Sequence, residues 1–270
     1  MRIAVVAPSC RIPPETVERV TALAAQVAPD VELVFHPQCF LSEGHFAGPD
    51  AARAAAFVEC ANDPMYDALW FARGGYGANR LLAEVLPAMS DAARAKTYLG
   101  YSDGGFLLGA LYGAGFEQVA HGPMPQDIAR DGGEAAVTRA LAWLARRDAS
   151  AVEPTVGSGT PTAAFNITIF SQLLGTPWQP DLAGHILMLE EVGEYMYRID
   201  RHLFHITSNP AVRGIAGLKL GRCSAIPDND PDFGRTEEQV ARDWCERAGI
   251  AWLGHADIGH DIDNRIVPFG

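Results

Sequence analysis

Short apolar runs alternate with segments of helical spacing along the first half of the chain. Ile3–Ala7, Val31–Phe35, Ala68–Ala72, Tyr98–Tyr101 and Val119–His121 read as buried strands. Between them, Pro14–Val27 repeats Val17, Val20, Leu23, Ala24 and Val27 at the period of a helix. Asp50–Asn62, a segment opening at Gly77–Leu86, Gly104–Gly113 and Gly133–Ala145 read the same way. Strand and helix in alternation predict an α/β fold, a parallel sheet with helices on its faces. In such a sheet ligands sit beyond the carboxyl ends of the strands. The second half repeats the theme: helices are expected at Asn166–Leu174, Tyr197–Thr207 and Thr236–Ala248, and strands at His185–Glu190, Gly214–Leu220 and Ile250–Leu253. The intervening stretch holds Pro154, Gly157, Gly159 and Pro161 and reads as a loop-rich crossover. The expected organisation is an N-terminal α/β domain over 1–146, a crossover linker over 147–164 and a C-terminal domain over 165–270.

Composition narrows the partners. Of 270 residues, 48% are hydrophobic, enough for a sizeable core, and the formal net charge is -12. That charge disfavours nucleic acid, which needs a basic footprint, and docking to an anionic membrane surface. The opening Met1–Pro8 is too short an apolar run for a signal peptide, and no stretch is long and apolar enough to span a bilayer. The five cysteines are scattered, with no C-x-x-C pair. Neither a zinc site nor a disulfide framework is indicated, so no metal or cofactor is expected, and the protein reads as cytoplasmic with reduced thiols.

The candidate chemistry centres on Gly100-Tyr101-Ser102-Asp103-Gly104. A strand leads in and a helix leads out, the setting in which a sharp turn exposes a serine oxygen and aims helix-start N–H groups at its target. A serine needs a base and the base an orienting acid. Of eight histidines, His260 lies in a glycine- and polar-rich loop near the C-terminus. Glu190 and Glu191 end an apolar strand; neighbouring strand residues point to opposite faces, so only one can serve, and the pattern does not choose between them. Arg73-Gly74-Gly75-Tyr76-Gly77 follows another strand. Its glycines let backbone N–H groups approach a ligand, as an oxyanion hole requires. Arg73 is either a clamp for a substrate carboxylate or half of an internal ion pair.

Taken together, these segments resemble the LD-carboxypeptidase and microcin-resistance serine peptidases. Arg73–Leu82 is similar to their RGGYG-x-x-RLL segment, Gly100–Asp103 to the nucleophile segment and His121–Met124 to HGPM. Leu189–Glu194 with Tyr197–Arg201 resembles the LE(D/E)-x-GE…YRIDR block, and Ile258–His260 with Asn264 and Pro268 the closing block. The resemblance implies a flavodoxin-like N-terminal domain, a smaller swivelling β/α C-terminal domain and a homodimer. It implies Ser102 as nucleophile, Glu190 as acid and His260 as base, with the N–H groups of Gly75 and Asp103 as oxyanion donors and Asn166 as a substrate contact; Arg73 stays a candidate substrate contact on its charge, with the internal ion pair as its alternative. The implied activity is release of terminal D-alanine from cytoplasmic murein tetrapeptides in peptidoglycan recycling. Two alternatives are cleavage of a peptide-nucleotide amide in microcin immunity and muropeptide binding without turnover. Two departures stand out: Gly104-Gly105 follows Asp103 where the family carries SD(I/V)T, and Asn166 lacks the glycines of the family's GGN run.

Overall fold

The computed structural model describes residues 1–270 as two parallel-dominated sheets with helices between and around them. The first sheet contains β1 (Arg2–Val6), β2 (Glu32–Phe35), β3 (Ala68–Phe71), β4 (Thr97–Gly100) and β5 (Val119–His121). These strands are parallel to one another. β3, β4 and β5 are buried along their whole length, which is why their sequences are continuously apolar rather than alternating. Helices α1 (Pro14–Val27), α2 (Asp50–Asn62), α3 (Leu82–Val85), α4 (Asp91–Arg94), α5 (Gly105–Gly113) and α6 (Glu134–Arg146) belong to this half. The helix expected from Gly77 is broken into 3-10 turns around the short α3.

The second sheet is also parallel and runs β6 (Thr162–Asn166), β7 (Ile186–Val192), β8 (Gly217–Ser224) and β9 (Trp252–His255). Helices α7 (Ile167–Leu173), α8 (Met196–Ser208) and α9 (Glu237–Ala248) complete it. β6 begins in the stretch that reads as crossover and ends two residues into the expected C-terminal domain. Its Thr-Ala-Ala-Phe-Asn sequence has weak strand propensity, and it is buried throughout by its surroundings.

α5 is apolar on every side, the signature of a helix enclosed by protein, and Gly105–Leu111 are all buried. Side chains on its glycines would collide with the second half: a Cβ on Gly109 would lie 3.1 Å from Phe165 Cε1, and one on Gly105 3.2 Å from Ile169 Cγ2. The resulting apolar core is continuous across both halves, from Leu69 and Leu107 to Leu187 and Leu220. No helix is long and apolar enough to cross a membrane.

The chain ends by returning to the first sheet. β10 (Val267–Pro268) pairs antiparallel with β5. Thr162 Oγ1 donates to the Pro268 carbonyl at 2.8 Å, and the Gly270 N–H to the Thr162 carbonyl at 3.0 Å, so the same segment also grips β6. Ile266, fully buried, anchors this return in the core of the first domain. Ile266→Ala is expected to lower the unfolding free energy by about 2–5 kcal/mol, measured by urea denaturation. A loss below about 0.5 kcal/mol, the range of ordinary surface substitutions, would show that the return is not anchored there.

Candidate active site

The carboxyl ends of four adjacent strands, β1, β3, β4 and β5, meet at one rim of the first sheet. Ser9 follows β1, Arg73–Gly77 follow β3, Ser102 follows β4 and Gly122–Met124 follow β5. Tyr101 is extended and Ser102 has φ 56°. Only three non-glycine residues take such a left-handed conformation here, and it is costly for a residue with a Cβ. A 3-10 turn over Ser102–Gly104 then leads into α5.

Three features hold this turn. Gly74 packs so closely that a Cβ on it would lie 2.7 Å from Ser102 Oγ and 3.6 Å from the Asp103 nitrogen. Gly75, at φ 119°, carries the chain away, and its N–H donates to no backbone carbonyl. The Asp103 carboxylate is buried and accepts from Ser9 Oγ at 2.5 Å and from the Ala78 N–H at 2.8 Å, tying three loops together. Burial raises its pKa, against the hydrogen bonds from Ser9 and the Ala78 and Gly77 N–H groups.

Gly104 and Gly105 have ordinary right-handed helical dihedrals. They are small because of packing: a Cβ on Gly104 would lie 2.7 Å from Phe71 Cδ2. Close contact with the sheet, and with Phe165 and Ile169 on the second half, leaves little room for a side chain at either position.

His260 reaches this rim from the second domain, on the loop between β9 and β10. Its Nδ1 lies 2.6 Å from Glu190 Oε2, and both side chains are buried. Tyr101 packs against the imidazole with ring centroids 4.8 Å apart. Nε2 is buried and has no hydrogen-bond partner within the protein. Asn264 Oδ1 accepts from the Gly259 N–H at 3.2 Å and lies 3.2 Å from His121 Nε2, fixing the loop to β5. Arg222 pairs with Asp257 and Asp261, and Arg139 donates to the carbonyls of Ile262 and Asn264 at 3.0 and 2.8 Å.

The two glutamates divide as strand geometry requires. Glu190 faces His260, whereas Glu191 faces away and accepts from Asn166 Nδ2 at 2.6 Å, Thr168 Oγ1 at 2.7 Å and the N–H groups of Thr168 and Val192 at 2.9 Å each. Asn166 is therefore engaged internally: its amide donates to Glu191, and its Oδ1 caps α7 through the Ile169 N–H at 3.2 Å. Arg73 forms no ion pair; its Nε lies 3.3 Å from the Gly74 carbonyl and its guanidinium opens into the same cavity as Ser102.

That cavity, about 130 Å³, is lined by Arg73, Gly74, Gly75, Tyr101 and Ser102, by His260, and by Met124, Gln126, Asp127 and Arg130. Gln126, Asp127 and Arg130 follow the His121–Met124 motif and are not marked by any residue pattern of their own in the sequence. Asp127 accepts from the Tyr101 hydroxyl at 2.7 Å, from the Met124 N–H at 2.8 Å and from Arg130 Nε at 3.1 Å. Among the residues present there is no cluster of potential metal ligands. A serine at a strained turn, free backbone N–H groups and an imidazole paired with a buried carboxylate are equipped for acyl transfer.

Fold and site together are those of a peptidase. The LD-carboxypeptidase N-terminal domain model matches residues 3–122 and the C-terminal domain model residues 161–270. The chain belongs to the LD-carboxypeptidase family. It is 33% identical to a putative carboxypeptidase of Streptomyces coelicolor over 100% of this chain and 88% of the relative. It is 26% identical to the murein tetrapeptide carboxypeptidase of Pseudomonas aeruginosa over 100% of this chain and 91% of that one. Its fold superposes on the crystal structure of muramoyltetrapeptide carboxypeptidase from Oxalobacter formigenes with a TM-score of 0.84 and 24% identity, covering 100% and 93% of the two chains. It superposes on MccF in complex with glutamyl sulfamoyl guanosine with a TM-score of 0.81 and 17% identity, covering 100% and 91%.

Burial acts to hold the charged form of His260 down, but the charge and hydrogen bond of Glu190 outweigh it and raise the pKa above the ordinary 6.5. Burial lowers His121 to about 4. In an NMR titration His260 is expected to lose its proton above pH 6.5 and His121 near pH 4. Glu190→Gln should lower the His260 midpoint, because the largest contribution opposing burial is removed. An unchanged His260 midpoint in that variant would contradict the assignment of Glu190 as its partner.

Proposed function

We propose that this protein is a serine LD-carboxypeptidase that releases terminal D-alanine from murein tetrapeptides in peptidoglycan recycling. The observation that carries the reading is the convergence of Ser102, on a left-handed turn after β4, with the buried His260–Glu190 pair around one cavity. The murein activity named for the Pseudomonas aeruginosa relative supports the substrate.

In this mechanism Ser102 Oγ attacks the scissile carbonyl while His260 Nε2 takes its proton. Glu190 holds the imidazole through Nδ1 and stabilises it once charged. The Gly75 and Asp103 N–H groups receive the developing oxyanion, a contribution of roughly 3 kcal/mol per donor. His260 then passes the proton to the departing amine, the C–N bond breaks, and water repeats the sequence on the acyl-enzyme. Arg73 lies on the cavity wall, where its charge attracts an anionic substrate. The reading includes a cytoplasmic location, with which five free cysteines agree, and a homodimer.

With a purified murein tetrapeptide, D-alanine release is expected from the wild type and a loss of roughly a thousandfold or more in kcat from Ser102→Ala. Release that survives in Ser102→Ala would sink the mechanism. Cleavage of an aspartyl sulfamoyl adenosine with none of the tetrapeptide would favour the immunity reading, and binding without turnover the binding-protein reading. The base must be neutral to act and its pKa is raised, so kcat/KM should fall as pH drops through a midpoint above 6.5. A pH profile flat down to 5 would contradict His260 as the base. Light scattering checks assembly: a monomer mass would rule out the homodimer.

A further inference from the structure

Two arginines line the Ser102 cavity, and different parts of the protein hold them. Arg130 Nε donates to Asp127 at 3.1 Å and the guanidinium lies beside the Tyr101 hydroxyl, while its terminal nitrogens make no ion pair of their own. Asp127 is itself nearly buried and bonded to the Tyr101 hydroxyl at 2.7 Å, and Tyr101 packs against His260 with centroids 4.8 Å apart. Arg130 is thus mounted on the imidazole's side of the site. Arg73 belongs to the other side. It precedes Gly74 and Gly75, its Nη1 lies 3.5 Å from the Arg11 carbonyl, and it also borders a second cavity of about 520 Å³ with Arg11, Pro13 and Phe40.

The chemistry gives the site a direction. The imidazole that takes the serine proton must deliver it to the departing amine, so the leaving residue lies beside His260. The oxyanion points to the Gly75 and Asp103 N–H groups, and the acyl portion extends away from the imidazole. We propose, resting on the serine carboxypeptidase reading, that Arg130 receives the terminal carboxylate of the leaving residue and that Arg73 serves the acyl portion in the larger groove. Guanidinium presents a planar pair of donors that matches a carboxylate. Requirement for a free terminus becomes a property of Arg130, a residue outside every motif that marks the nucleophile, base and acid.

The test measures binding to the Ser102→Ala protein by calorimetry, with one tetrapeptide as its free acid and as its terminal carboxamide. The acid should bind about 10- to 100-fold more tightly, the range of charge-assisted hydrogen bonds. Adding Arg130→Gln should abolish that preference, Arg130→Lys should restore part of it, and Arg73→Gln should weaken both peptides alike while keeping it. A preference that survives Arg130→Gln, that disappears with Arg73→Gln, or that is absent from Ser102→Ala altogether overturns the proposal. D-alanine release by the wild type is scored separately: turnover without the predicted preference leaves the serine mechanism standing, and a preference without turnover leaves Arg130 standing.

Discussion

Everything at this site depends on a loop from one sheet being held over the edge of another. The 2.6 Å contact between His260 and Glu190 is the point of attachment on the second domain. β10 and the Asn264–His121 contact are the attachment on the first. Glu190 fixes the ring's rotation, and the return of the chain to β5 fixes the loop's height above the rim. The continuous core across α5 makes the two attachments mutually rigid, because glycines at 105 and 109 bring the second domain onto that helix at backbone distance. Small residues that look like looseness in the sequence are, in the packed protein, the reason for stiffness.

Buried carboxylates are expensive unless bonded, and this protein keeps four near the site with separate tasks. Asp103 ties the serine turn to the loops after β1 and β3. Asp127 gathers Tyr101, Met124 and Arg130. Glu191 pins α7 to β7 through Asn166 and Thr168. Glu190 alone faces an imidazole. Burial raises the pKa of Asp103 and of Glu191, whereas the net electrostatic effect at His260 runs the other way from burial, toward the charged form. Structural acids and the acid beside the base are distinguished by what bonds them, not by residue type.

Much of the first domain was legible in the sequence because its buried parallel strands are continuous apolar runs and its helices carry a clear period. β6 and β10 were not. Thr162–Asn166 is a strand only because β7 and the returning C-terminus surround it, and Val267–Pro268 is too short to carry a pattern. Ser102 and His260 could be singled out from their loops, and the resemblance named Glu190. Strand alternation alone left Glu190 and Glu191 equal; the choice emerges from which one meets His260 in space. Asn166 was expected to touch substrate, and the structure shows its side chain engaged by Glu191 and the start of α7. Arg130 and Asp127 escaped notice because their place beside His260 comes from tertiary packing through Tyr101, which no local spacing encodes.

The account stands on Ser102 being activated by an imidazole supplied from the other domain. The most direct measurement is covalent labelling with a fluorophosphonate, the modified residue being located by peptide mass spectrometry. The account predicts one adduct, on Ser102, formed rapidly by the wild type and slowed by roughly a hundredfold or more in His260→Ala, the scale of general-base assistance. No adduct on Ser102, or labelling of Ser102 at an undiminished rate in His260→Ala, would contradict it.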